Sequence, residues 1–169
     1  QTTFALGSKF KDQFAGTFGS FGALSFYPSK TLGCFGDGGA IITSDSELYS
    51  KIIQLRDHGR GKNGLVAKWG FNSRLDNIQA AILNVKLKYI DQYNMMRVKI
   101  ANIYNDNLSD IENIFTPKKT DYGHHVYHQY TISSNIRDKI MKKIENYIDG
   151  KIVSISKKEN HLLITERIS

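Results

Sequence analysis

Cysteine is almost absent from this sequence. The one thiol among 169 residues, Cys34, has no partner for an internal disulfide, which excludes a disulfide scaffold and fits a reducing, cytoplasmic setting. Long apolar runs are missing as well, and none could span a bilayer, so no membrane-spanning segment is expected. No charged-then-apolar leader opens the chain, and nothing argues for export. The five histidines lack cysteine partners, so no metal site is expected. Acidic residues are the minority, 16 against 23 Lys and Arg, for a net charge of +7. A basic balance can mean a polyanionic partner. Here the lysines are scattered or gathered late, in "RDKIMKKIENYIDGK" and "SISKKEN", with no aromatic-interleaved patch and no DNA-reading motif. They read as a solvated face, and no nucleic-acid partner is expected.

What is present suffices for a core. With 40% apolar and 11% aromatic residues the chain is about one folded domain, and disorder is not expected. It opens on Gln1 in mid-pattern, as expected of a piece of something larger. "FGALSF" (21–26) suits a strand buried on both faces, the kind found inside a parallel sheet, and "GAIIT" (39–43) a second one. Ser44 and Glu47 have capping-box spacing before a helix carrying Leu48, Ile52 and Leu55, with Gly59 as its stop. Strand, turn, strand, helix in this order predicts an α/β layer architecture.

Residues 60–72 form a glycine-punctuated loop. From about Asp76 the stripe Ile78, Ile82, Val85, Tyr89, Tyr93, Met96, Ile100, Ile103 predicts one helix of nearly thirty residues, its apolar face packed in a core. Pro117 and "KKTDYGHH" mark a boundary, dividing the chain into residues 1–116 and 117–169. "VYHQYTI" (126–132) alternates like a half-buried strand, with Val126, His128, Tyr130 and Ile132 on one side. Ile136, Ile140, Met141, Ile144 and Ile148 predict one more helix, closed by Gly150. The tail "KIVSISKKENHLLITERIS" shows only a weak pattern. His124 and His125 fall in a loop, where exposure is expected.

Neither glycine-rich stretch is a phosphate loop. "GCFGDGG" lacks the required spacing, and in "GRGKNG" Asn63 stands where a Ser or Thr is needed. Lys30 poses a sharper question, because it follows an apolar run and precedes four glycines in "SFYPSKTLGCFGDGGAI". Two readings stand. It is an exposed turn lysine, or it is an amine desolvated at a sheet end, where the neutral form is favoured and a Schiff base with a carbonyl can form.

The wording around Lys30 favours the second reading. "SFYPSK", "LGCFGDGGAI", "LRDHG" and "GFNSRLDNIQAAIL", in this order, closely resemble the pyridoxal-phosphate-dependent nucleotide-sugar aminotransferases of the DegT-like family. The resemblance runs from Gln1 to about Ile132, less than half of a full-length member. It implies part of an aspartate-aminotransferase-type fold: a three-layer α/β domain with a mixed, mostly parallel sheet, then the start of a smaller C-terminal α+β domain. It implies a homodimer with active sites at the subunit interface and amino transfer, from glutamate, to a keto group of a nucleotide-linked sugar. The product feeds surface polysaccharide, lipopolysaccharide or glycan synthesis.

By the same resemblance Lys30 holds the cofactor and moves the proton between substrate and cofactor carbons. Ser25 hydrogen-bonds the cofactor phosphate, Gln1 lies near the phenolic oxygen, and Asn72 reaches the phosphate in the neighbouring subunit. Arg74 helps with substrate. The glycines let the chain turn tightly beside the cofactor. The wording "GCFGDGGAI…NSRLD…QAAIL" leans toward the branch acting on 3-keto sugars, and Lys30 argues against a sister branch that dehydrates sugars with histidine in its place.

Besides the earlier half of the large domain, with the aromatic residue that stacks on the ring, two family features have no counterpart in this sequence. One is the aspartate expected three residues before the position of Gln1, which keeps the pyridine nitrogen protonated. The other is a His-Tyr-Pro segment after the last helix, and the tail resembles no family segment. The alternative expectation is therefore a gene fragment, inactive alone, that folds partly or binds a full-length paralogue as an interaction module.

Overall fold

The computed structural model describes residues 6–147, 154–158 and 161–165. In chain order these fold as β1 (Lys9–Phe10), β2 (Gln13–Phe14), β3 (Gly22–Ser25), β4 (Gly39–Ile42), α1 (Ser46–Arg56), α2 (Asn77–Leu87) and α3 (Ile90–Leu108). There follow β5 (Ile114–Phe115), β6 (Gly123–His124), β7 (Tyr130–Ser134), α4 (Arg137–Tyr147), β8 (Ser154–Lys158) and β9 (His161–Thr165). The strands make three sheets, ordered β2-β1-β6, β3-β4 and β5-β7-β9-β8.

The two expected strands at 21–26 and 39–43 exist as β3 and β4, slightly shortened, but their setting differs from the expectation. They pair antiparallel, Gly22 opposite Ile42 and Ser25 opposite Gly39, and Ile41 is 50% exposed. A parallel pair needs a crossover, usually a helix. The connection here is a coil folded on itself, which returns the chain antiparallel. Every strand pair among the described residues is antiparallel.

Helix α1 starts one residue later than the capping-box reading had it. Asp45, not Ser44, is the N-cap, and its Oδ1 accepts the Glu47 and Leu48 amides at 2.9 and 3.0 Å. An ionised carboxylate is the stronger acceptor for these orphan donors. Glu47 is thereby moved off the box position and pairs with Lys51 at 2.6 Å instead. At the other end Gly59, at φ +71°, donates its amide to the Gln54 carbonyl and stops the helix as expected.

The single long helix does not form. It divides at Lys88–Tyr89, where Tyr89 leaves helical geometry (φ −110°, ψ 3°) with no proline or glycine to announce the break. Nor is the named stripe a core face: Ile78, Val85, Tyr89, Met96 and Ile103 are all exposed. The face that packs carries Leu83, Asn94 and Ala101, with Ile90 partly buried beside them. These helices are apolar on more than one side, and periodicity alone does not say which side a neighbour covers.

The alternation read at 126–132 is also overturned. Val126 and Tyr127 are consecutive and both buried, Tyr127 stands at φ +48°, and the strand begins only at Tyr130. Helix α4 follows as expected, with Ile140, Met141 and Ile144 turned to a core, while Ile136 precedes the helix at 40% exposure. Ile148 and Gly150 lie outside the described residues. The weakly patterned tail contributes β8 and β9, and β9 pairs with β7, Tyr130 opposite Ile164.

Two apolar clusters result. Leu32, Cys34 and Leu83 form one, with Leu6, Phe26, Leu75 and Ile90 against them. Ile132 and Met141 form the other, with Leu108, Ile114, Tyr130, Ile140 and Ile144. No helix among the described residues is long and apolar enough to cross a membrane.

Candidate functional site

Strand β3 ends on Ser25, and the chain turns at once. Proline at 28 presets the turn that follows, and the Lys30 amide closes it on the Tyr27 carbonyl at 2.8 Å. Ser25 Oγ accepts the Tyr27 amide at 3.3 Å, so its own hydroxyl proton remains to donate. Lys30 stands partly buried at the end of this turn, and desolvation lowers its pKa from the ordinary lysine value.

Beyond Lys30 the loop folds back under itself. Phe26 donates to Gly38 O and accepts from the Cys34 amide, both at 2.8 Å. Cys34 is fully buried, its thiol facing the carbonyls of Phe26 and Gly36 at 3.0 and 3.1 Å. Two glycines permit this closeness. A Cβ at Gly33 would stand 2.5 Å from Pro28 O, and one at Gly38 would stand 2.8 Å from Cys34 Sγ. The glycines thus serve first the packing of the loop on itself.

Three elements brace the loop from outside. From α2, Lys86 Nζ donates to Gly33 O at 2.5 Å and Gln79 Oε1 accepts the Phe35 amide at 2.8 Å. From the segment before β7, His128 Nδ1 lies 3.4 Å from Thr31 Oγ1. From α3, Arg97 Nη1 donates to the His128 carbonyl at 3.2 Å. The His128 pKa falls to about 4, first because the ring is desolvated and then because the Arg97 and Lys30 charges oppose its protonation. Its imidazole is neutral at neutral pH. His125 is likewise lowered, by burial and by neighbouring His124.

Of the residues singled out in the sequence, Ser25 and Lys30 are brought together on one strand and turn. Asn72 and Arg74 stand on exposed chain laid against the end of α1. Asn72 bridges Asp57 there, and the Ser73 amide donates to Arg56 O at 2.9 Å. Arg74 Nη1 is 3.5 Å from Asp57 Oδ1, an exposed pair worth at most about 1 kcal/mol. Gln1 lies outside the described residues. His124 and His128, four positions apart, are not on a helix, and no group of three metal-ligating side chains occurs among the described residues. The residues the sequence did not reveal are Thr31, Lys86, Arg97 and His128. Their partners are distant in sequence, and no local spacing marks them.

The chain is 41% identical over 138 residues to the pleiotropic regulatory protein of Geobacillus stearothermophilus. It is 40% identical over 136 residues to the UDP-N-acetyl-3-dehydro-alpha-D-glucosamine 3-aminotransferase of Acidithiobacillus ferrooxidans. Each match takes in 80% of this chain and 37% of the relative, so the chain spans well under half the length of these curated relatives. The crystal structure of S. venezuelae DesV superposes with a TM-score of 0.81 at 35% identity, over 86% of this chain and 39% of DesV. The fold is therefore part of an aspartate-aminotransferase-type α/β domain continuing into α+β structure. With the family profile matching residues 2–156, the chain belongs to the DegT/DnrJ/EryC1/StrS aminotransferase family.

Proposed function

We propose that the protein carrying this chain moves an amino group, from glutamate, to a keto group of a nucleotide-linked sugar, using pyridoxal phosphate. The observation that carries this reading is the Lys30 amine. It stands in the turn at the end of β3, and burial favours its neutral, nucleophilic form. The name of the Acidithiobacillus relative supports a keto sugar aminated at carbon 3. The product is an amino sugar for surface polysaccharide, lipopolysaccharide or glycan synthesis, made in the cytoplasm.

The residues present fit the cofactor on chemical grounds. An aldehyde takes a neutral amine, the form that burial favours at Lys30. A phosphate oxygen takes a hydroxyl donor, which Ser25 keeps because its oxygen already accepts from Tyr27. Lys30 and Ser25 would hold the group, with Gln1 beside its phenolic oxygen. Asn72 would serve the phosphate site of the second subunit in a homodimer, and Arg74 the substrate. When bound, pyridoxal phosphate supplies an electron-poor ring that stores the electron pair of a breaking C–H bond. Lys30 Nζ would carry the proton from the donor's α-carbon to the cofactor carbon, and the Tyr27–Lys30 turn fixes where that amine stands.

We further propose two units, 1–116 and 117–169. The separate cluster around Ile132 and Met141 supports a second unit, to which Leu108 and Ile114 contribute from the first. A second reading, a non-catalytic chain that binds a full-length relative, is favoured by the exposed apolar side chains Leu65, Trp69 and Phe71.

Borohydride reduction after loading with pyridoxal phosphate, followed by peptide mapping, tests the first reading. The label is expected on Lys30 and is lost in Lys30→Ala. A label on another lysine overturns it. Turnover of a nucleotide-linked keto sugar with glutamate by the purified 169-residue chain overturns the second reading.

A further inference from the structure

We propose that His128 is a positioning residue for Lys30: its imidazole, tethered to Thr31, covers the turn that carries the amine and keeps water from it. The inference rests on Lys30 being the cofactor lysine, and it adds a residue from the far end of the chain to that site.

The geometry is built from both sides. On one side Thr31, next in the chain after Lys30, puts its hydroxyl 3.4 Å from His128 Nδ1. A hydroxyl donating there fixes the tautomer with the proton on Nε2. On the other side Arg97 takes the His128 carbonyl at 3.2 Å, so the residue is held through its backbone and its ring at once. The backbone just before it is bent for this purpose. Tyr127 adopts φ +48°, a region that aromatic residues rarely enter. In a regular strand Val126 and His128 would share a face and Tyr127 the opposite one. The left-handed step lets Val126 and Tyr127 both be buried, at 2% and 7% exposure, while His128 turns to Thr31. His125 supports the bend, its Nδ1 accepting the Tyr127 amide at 2.9 Å and its ring 4.4 Å from the Tyr127 ring.

The ring's charge state suits the task. Lys30 and Arg97 both face it and, with burial, keep it neutral near pH 7. A neutral ring adds no positive charge beside Lys30. Its effect is exclusion of solvent, the cause that lowers the Lys30 pKa.

The test is the reactivity of Lys30 toward trace acetic anhydride across pH in the intact protein, read by peptide mapping. Exposed Lys139 and Lys142 of α4 serve as internal references. In the wild type Lys30 is expected to titrate below these references. In His128→Ala its midpoint moves up toward them, and borohydride-trapped pyridoxal phosphate at Lys30 accumulates about fivefold more slowly, the factor one hydrogen bond is worth. His128→Asn keeps an acceptor at the Nδ1 position and restores most of the wild-type behaviour, whereas His128→Leu does not. Thr31→Val shifts the midpoint in the same direction by less, and guards against a His128→Ala protein that fails to fold. An unchanged Lys30 midpoint in both His128→Ala and Thr31→Val overturns the proposal. A wild type whose Lys30 takes no pyridoxal phosphate overturns the cofactor reading alone, and the acetylation series still decides the role of His128.

Discussion

Lys86 Nζ donates to the Gly33 carbonyl oxygen at 2.5 Å, joining helix α2 to the loop behind Lys30 across 53 positions of sequence. Charge-assisted bonds to carbonyls are stronger than neutral ones. Lys86→Met keeps the aliphatic stem and removes the donor, and is expected to destabilise the fold by about 1–2 kcal/mol. Urea unfolding measures this, and amide hydrogen exchange at Cys34 and Phe35 should quicken. Unchanged exchange there would mean that α2 does not hold the loop.

The loop's inner packing gives a second expectation. Gly38→Ala places a methyl 2.8 Å from Cys34 Sγ and 3.1 Å from Leu75 Cδ1, both in the first core cluster. Overpacking of this kind costs about 1–3 kcal/mol. Cys34→Ala in the same chain makes room and should recover part of the loss. Additive losses in the double variant would show that the two side chains do not meet.

Helix α1 separates two capping registers cleanly. Asp45→Ala removes the acceptor of two amides and should cost about 1 kcal/mol, whereas Ser44→Ala should stay within about 0.5 kcal/mol of wild type. A larger loss at Ser44 than at Asp45 in thermal unfolding restores the capping box read from the sequence.

His128 makes stability depend on pH with a defined sign. Its pKa is about 4 in the folded protein against 6.5 when unfolded, so only the unfolded chain binds the proton between these values. Its contribution is complete above about pH 6.5 and is lost as pH falls toward 4. The full shift corresponds to about 3 kcal/mol, which solvent screening of a partly exposed ring reduces to about 1–2 kcal/mol. His128→Gln should flatten this part of the profile in urea unfolding at pH 7.5, 5.5 and 4.5. An equal fall in wild type and variant would assign it to other groups.

The outward apolar residues of α2 and α3 yield a prediction for the chain by itself. Ile78, Val85, Met96 and Ile103 are 68%, 59%, 50% and 59% exposed, and the loop residue Trp69 is 95% exposed. Apolar surface of this kind marks an interaction site or an aggregation liability. The purified 169-residue chain should self-associate in sedimentation and show no aminotransferase turnover. Val85→Glu with Met96→Lys should reduce the association without lowering the melting temperature. A drop in melting temperature would place those side chains in a core.

Local chemistry explains which parts were legible in the sequence. β3, α1 and α4 announce themselves within a dozen residues through apolar runs, a cap signal and helical spacing. Lys30 and Ser25 sit on one strand and one turn, and the family resemblance rather than local chemistry singled them out as a pair. The capping register slipped by one because Ser44 and Asp45 both offer an acceptor, and only geometry chooses between them. Facing errors arose where a helix is apolar on two sides, as at Leu83 and Val85. His128 was read as a strand residue because the left-handed step at Tyr127 has no glycine to signal it. Thr31–His128 joins residues 97 positions apart and Arg97–His128 residues 31 apart, distances over which no periodicity speaks.

Strand β1 is a two-residue element sandwiched between β2 and β6, with Lys9 opposite both Phe14 and His124. The first partner follows at once in the sequence, the second more than a hundred residues later. Until then one edge of the β1–β2 hairpin stays open to any passing strand. Closing it joins distant segments, the slow and entropically expensive kind of contact. The segment that closes the β1–β2 hairpin with Gly123 and His124 is thus the one that delivers His128 to the turn of Lys30.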